Sequence, residues 1–431
     1  MKIGSFWDKI SWSMADKGLF VGYGLVQILQ MNRMTTSEFG LFALLISIHT
    51  WIFVVSDAVA LQNIIQFGMN ERTASRANFF SLILHLIIVI GLPLYIFIIR
   101  EPLSVIFGVK ELNYIFGILP FFCLATMVRT YCIKFVFKHS QMRNLFFINL
   151  MLFLPITILT FYFKWTDGYL NLDRMIVMYF TGHILSSITA FLFTRKNINL
   201  STKGKLSLKE VLNFSMPLLF TNALHSLPKQ LDSYLVSFFF GTSATGIYFS
   251  AKTLFRVFEE TLAAVQGLIY PASVRFLERG DRAGLKEIII KAISVLVFAF
   301  LAIIIVLQLG LSEFLITKFL NSKFANAIGQ FNLLSFAALG LPFMILTSLI
   351  VAERKPKVLF RYVLVSVICF LVSFILVGMN QDPALIPLTY IVYSYALGIS
   401  GICYFVKNYN YSFSDLFRVF ADVKHIVVKK K

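Results

Sequence analysis

At 431 residues, 58% hydrophobic and only 14% charged, with a mean hydropathy of +0.79, the chain carries too much apolar surface for a water-soluble domain, which has roughly 25% charged residues. The same composition is what a bundle of membrane-spanning helices requires, because backbone polar groups in lipid have to be paired inside a helix. The net charge of +18 does not point to nucleic acid, since the basic residues sit in short loops between apolar runs and leave no soluble basic domain to hold a duplex.

About twenty apolar residues cross a bilayer. On that measure spans are predicted at 12–32, 39–64, 77–99, 112–136, 145–164, 174–195, 209–238, 243–272, 288–309, 326–351, 357–378 and 384–406, which makes a dozen helices. The first apolar stretch, Gly18 to Met31, follows Asp16 and Lys17 and lacks a small-residue cleavage site, so a retained helix is expected rather than a cleaved signal peptide. The span at 243–272 is the least hydrophobic. Cys123, Cys132, Cys369 and Cys403 all fall within apolar runs and form no CxxC pair, so neither a disulfide framework nor a zinc site is expected.

The longest polar loop, Arg195 to Lys209, divides the spans six and six, giving two lobes at 1–200 and 201–406. Ser207 followed by Glu210 has the spacing of a capping box at the start of the seventh helix. The basic tail, 407–431, places Phe413, Leu416, Phe417 and Phe420 on one helical face. That pattern suits an amphipathic helix on the membrane surface, and a frayed basic tail suits it equally.

Basic residues set orientation in membranes. With both termini in the cytoplasm, the inner segments hold 25 Lys and Arg, Lys134 among them, and the outer segments hold 7. This bias accounts for most of the net charge without a polyanionic partner.

The two halves look related. Thr36-Ser37-Glu38-Phe39-Gly40-Leu41-Phe42 matches Thr242-Ser243-Ala244-Thr245-Gly246-Ile247-Tyr248 at a constant offset, in the turn between the first and second helices of each half. Duplicated six-helix units are characteristic of alternating-access transporters. Together with Phe214-Ser-Met-Pro217, Leu231-Asp232 and Phe240 through Ala251, these segments resemble the polysaccharide-transporter branch of the multidrug/oligosaccharidyl-lipid/polysaccharide exporter superfamily. The resemblance implies two six-helix lobes around a central cavity in a bacterial cytoplasmic membrane. It implies flipping of an undecaprenyl-diphosphate-linked oligosaccharide, such as an O-antigen or exopolysaccharide repeat unit, from inner to outer leaflet. It also implies a functional basic residue in the first helix, a position matched by Lys17, and a polysaccharide polymerase as an associated partner.

Charges inside spans are costly and usually face a cavity or a partner. Lys17, Arg129, Lys252 and Arg256 are the candidates to neutralise a lipid diphosphate, and Lys252 and Arg256 share one helical face. Arg129 sits near a helix end, where snorkelling is an equal reading. Lys229–Asp232 and Arg256–Glu260 have the spacing of internal ion pairs as readily as of a binding site. Asp57 lacks a local partner, so it is a candidate for coupling H⁺ or Na⁺, or for a hydrogen bond to a neighbouring helix. His49, His85, His183 and His225 read as packed side chains. Pro217 and Pro228 interrupt the seventh span and are hinge candidates.

No phosphate-binding loop, nucleophile elbow or HExxH pattern occurs, so no enzyme activity, metal or cofactor is expected. The competing readings are a multidrug/cation antiporter of the same superfamily, a lipid II flippase, and a membrane scaffold or glycosyltransferase partner. The first would need uncompensated acids in its cavity, and the second usually carries two further helices.

Overall fold

The computed structural model describes residues 3–68, 71–139, 141–319, 324–353, 355–412 and 415. The surface helix expected around Phe413, Leu416, Phe417 and Phe420 lies outside the described residues. The protein is 89% helical, with no strand among the described residues. Its membrane-length helices in chain order are α1 Ile3–Arg33, α2 Thr36–Gln66, α3 Glu71–Ile98, α4 Leu112–Lys138, α5 Met142–Thr166, α6 Leu172–Thr194, α7 208–240, α8 242–278, α9 Arg282–Phe314, α10 Asn326–Ala352, α11 Pro356–Asn380 and α12 Pro387–Tyr409.

Eight of these are long and apolar enough to cross a bilayer, and α10 qualifies as a pair bent by 46° around Gly340. The chain is therefore an all-helical multi-pass membrane protein of about 12 helices. The helices below the apolar threshold, α1, α7 and α8, are the ones that carry Asp16 and Lys17, Lys229 and Asp232, and Lys252, Arg256, Glu259 and Glu260. Charge at membrane depth lowers the hydropathy and marks the helices on which function is sought.

Local signals fix the helix ends. Ser207 and Glu210 form the expected capping box on α7, and Thr35 with Glu38 forms a second on α2. Asn171 and Asp281 cap α6 and α9. Among the described residues, three helices widen into single π-turns, α2 at Asp57–Leu61, α7 at Leu227–Leu231 and α9 at Leu307–Leu311. Pro228 opens the second of these, where its missing N–H breaks the regular ladder. Pro217 lies in the regular part of α7 and is exposed.

By packing, the chain forms two compact units, Met1–Gly246 and Ile247–Lys431. In the first, α7 packs against α2, so the unit extends beyond the polar loop at 195–207. The two sequence-related turns meet there. Thr36 Oγ1 lies 2.8 Å from Ser243 Oγ, and Ser37 Oγ lies 2.8 Å from Thr242 Oγ1. A Cβ on Gly40 would fall 1.9 Å from the Thr242 carbonyl oxygen, and one on Gly246 would fall 2.0 Å from that of Thr36. Exchanging 36, 37 and 40 with 242, 243 and 246 maps each contact onto its mate, the reciprocity that a two-fold axis produces. Both positions are glycine because the backbones leave no room for a side chain. The chain enters α8 through Gly241 at φ 81°, a conformation open to glycine at little cost.

In the second unit, Phe255, Phe258, Phe300 and Tyr390 form a buried aromatic core. Cys123 and Cys132 are buried in the first unit, Cys403 is exposed, and all four cysteines are free thiols.

Candidate functional site

Three helix faces of the first unit line an open cavity of about 500 Å³. From α2 come Thr50, Phe53, Val54, Asp57 and Leu61; from α4, Arg129, Thr130, Ile133, Lys134 and Phe137; from α7, Asn222, His225, Ser226, Lys229 and Gln230. Each set recurs at three- and four-residue intervals, the spacing of one helical face. Asp57 and Lys229 both belong to π-turns, so the two irregular turns open onto the same space.

The charges are organised by partners on other helices. Lys134 Nζ lies 2.5 Å from Asp57 Oδ1, and Gln62 Nε2 donates to Asp57 Oδ2 at 2.7 Å. Of the two readings of Asp57, the partner on a neighbouring helix is the one present, and Lys134 lies a full turn inside α4, which continues through Lys138. Gln62 reaches Asp57 from five residues away because the π-turn brings i and i+5 into register.

Arg129 does not follow the snorkelling alternative. Its Nε donates to Ser186 Oγ at 2.9 Å and its Nη2 to Asn149 Oδ1 at 2.6 Å. Asn149 Nδ2 in turn donates to the buried Asp16 at 2.7 Å. Inside a membrane protein a guanidinium gains more from fixed polar partners on α5 and α6 than from a stretched path to water. The amide relays the Asp16 charge toward Arg129 without direct contact.

His49 and His85 are packed and hydrogen-bonded as expected. His49 Nε2 meets Thr126 Oγ1 at 3.0 Å, and its ring lies 5.4 Å from that of His183. His85 Nδ1 meets Ser56 Oγ at 2.6 Å, and its Nε2 lies 3.0 Å from the Met127 carbonyl. His225 lines the cavity.

The cavity thus brings together Asp57, Arg129 and Lys229 from the residues singled out in the sequence. Lys17 is exposed on α1, its ammonium 5.6 Å from the Phe20 ring, and is not among the lining residues. Asp232 is buried and accepts the Ser233 N–H at 2.8 Å. In the second unit, Lys252 is buried with its ammonium 5.9 Å from the Tyr248 ring. Arg256 is half-buried, 5.6 Å from the Phe249 ring, and Glu260 is exposed. Sequence reasoning missed Lys134, Asn222 and Gln230 as lining residues. The four-residue steps Thr130–Lys134 and Asn222–Ser226–Gln230 were the available signal. Among the described residues, no group of three or more His, Cys, Asp or Glu is placed to hold a metal ion.

The profile of a family described as polysaccharide biosynthesis protein matches residues 6–277. No curated protein matches the sequence. Solved structures share the fold at low identity. The lipid II flippase MurJ, in an inward closed conformation, is 12% identical with a TM-score of 0.68, over 95% of this chain and 90% of that one. An inward-facing multidrug resistance MATE family transporter of the MOP superfamily is 13% identical with a TM-score of 0.67, over 89% and 92%. A MOP superfamily transporter from Pyrococcus furiosus is 12% identical with a TM-score of 0.66, over 91% and 92%.

Proposed function

From the premise that this chain belongs to the polysaccharide biosynthesis protein family, we propose that it is a flippase for an undecaprenyl-diphosphate-linked oligosaccharide, working by alternating access. The observation that carries the reading is the cavity of the first unit, where Arg129, Lys134 and Lys229 converge from two helices and the single carboxylate, Asp57, is already paired. A diphosphate leaving water needs fixed cationic donors, and Arg and Lys supply them. A cation exporter needs the opposite, an acid free of internal counter-charge. The solved lipid II flippase, which by its name acts on a lipid, shares the fold. The protein sits in the bacterial cytoplasmic membrane with both termini inside, as the 25-to-7 basic bias supports. Lys17, Lys252 and Arg256 serve as further contacts for the diphosphate along its path, and the π-turns with Pro228 provide the bending points. Coupling to H⁺ or Na⁺ and association with a polymerase belong to the same reading.

The test is surface delivery of the glycan in a bacterial strain lacking its own flippase. Wild-type chain restores delivery, and Lys229→Ala delivers about tenfold less or lower still, at normal protein level. Full delivery by a Lys229→Ala, Lys134→Ala variant would falsify the cavity's role. Ethidium efflux in place of glycan delivery would move the chain to the antiporter class. Reporter fusions at Lys203 and Asp382 report inside and outside respectively, and the same side from both breaks the orientation.

A further inference from the structure

The cavity's cations differ in how they are held. Arg129 is held between Ser186 and Asn149 on two other helices. Lys134 has its ammonium on Asp57. Of that pair Asp57 is the more exposed, at 31% against 15% for Lys134, and both line the cavity. Asp57 also has a second, neutral donor in Gln62, held in reach by the π-turn.

We infer that Asp57 is a built-in counter-anion that occupies Lys134 in the empty cavity and yields it to the phosphate of the substrate. The inference rests on the flippase reading above. An unbalanced ammonium at membrane depth costs a few kcal/mol, so an empty cationic cavity needs an internal anion. A phosphate oxygen competes for the same donor, and two anions cannot crowd one ammonium without repulsion. When the phosphate takes Lys134, Asp57 retains the Gln62 amide and is not left without a partner. When the lipid leaves, Asp57 takes Lys134 back and that ammonium is balanced for the return. The groups that face this exchange are Arg129 and Lys134 on α4, Lys229 and His225 on α7, Gln62 on α2 and, behind Asp57, His85 on α3.

The sign of the prediction is unusual for a binding-site residue. Removing the acid strengthens ligand binding and slows turnover, whereas removing its partner weakens both. The experiment measures binding of farnesyl diphosphate to the purified full chain in lipid nanodiscs, with inorganic pyrophosphate and farnesol as competitors. Asp57→Asn binds farnesyl diphosphate about tenfold more tightly than wild type, equivalent to ~1.4 kcal/mol. Lys134→Gln binds about tenfold more weakly, and the double variant matches Lys134→Gln, because Asp57 acts through Lys134. In the delivery assay Asp57→Asn transports more slowly than wild type despite tighter binding. Pyrophosphate competes for the site and farnesol does not; competition by farnesol alone assigns the binding to the tail and overturns the exchange. Gln62→Leu, which removes the fallback donor, binds about threefold more weakly and carries the test if Asp57→Asn does not fold. Equal or weaker binding by Asp57→Asn, or unchanged binding by Gln62→Leu, overturns the inference alone. Failure of the wild-type chain to bind farnesyl diphosphate at all overturns the flippase reading and the exchange with it.

Discussion

Asp57 in the first unit and Glu353 in the second are both carboxylates held by a lysine and by neutral donors, yet the neutral donors differ in kind and number. Asp57 is met by a lysine and an amide on the wall of a cavity. Glu353, at the end of α10, accepts the hydroxyls of Tyr404 and Tyr409 and the Lys355 ammonium at 2.7 Å. Glu259 follows the same pattern and accepts the Tyr390 hydroxyl. A phenol satisfies a carboxylate without offering a charge that a ligand could take over, so the tyrosine-bound acids read as structural pins. A lysine on a cavity wall holds its acid only until a better anion arrives. The difference separates a site from a scaffold in a molecule where both are partly buried ionic groups.

The largest expected effect tests the rigid side of the cavity. Arg129→Ala removes the partner of Asn149 and, through it, of Asp16, at a cost of about 3 kcal/mol. Both glycan delivery and the amount of protein in the membrane fall, and Arg129→Lys recovers part of each. A normal protein level for Arg129→Ala would show that the relay is not structural. The next effect is confined to function. Lys229→Ala lowers delivery by about tenfold or more, the worth of one charge-assisted hydrogen bond, while immunoblots show unchanged protein.

The second unit gives the opposite pattern. Tyr404→Phe and Tyr409→Phe each cost about 1 kcal/mol of stability, seen as a lower unfolding midpoint in detergent. Delivery per molecule of protein stays at the wild-type level, and a transport defect in either variant would break the division between pins and site. The smallest effect is a pH dependence. Burial pushes the Glu353 carboxyl up, but the hydrogen bonds from Lys355, Tyr404 and Tyr409 outweigh it and hold it below the ordinary value of 4.5. A depressed carboxyl stabilises the fold above its unfolded value and loses that contribution as pH falls through the folded one. The unfolding midpoint of wild type therefore declines as pH drops below 4.5, and Glu353→Gln shows a shallower decline over the same window.

Much of the architecture was written in the one-dimensional pattern. Apolar runs of bilayer length dictate helices because lipid offers no other partner for the backbone. The Ser207–Glu210 spacing places the start of α7, and the repeat of Thr36-Ser37 and Gly40 with Thr242-Ser243 and Gly246 marks two turns of one kind. The sequence does not say that these turns touch. Their contact depends on how closely two backbones approach, which chain order does not encode. The pairing of charges was likewise beyond it. Along a helix only residues three or four apart are neighbours, so reasoning from spacing left the partner of Asp57 unnamed and Arg129 open between a ligand role and snorkelling. The partners of both stand on other helices, and in the case of Gln62 at a five-residue step that exists only because α2 widens at Asp57–Leu61. Residue types fixed that charges would lie inside the membrane; which charge meets which was decided by the crossing of α2, α4, α5, α6 and α7, where distance rather than spacing sets the electrostatics.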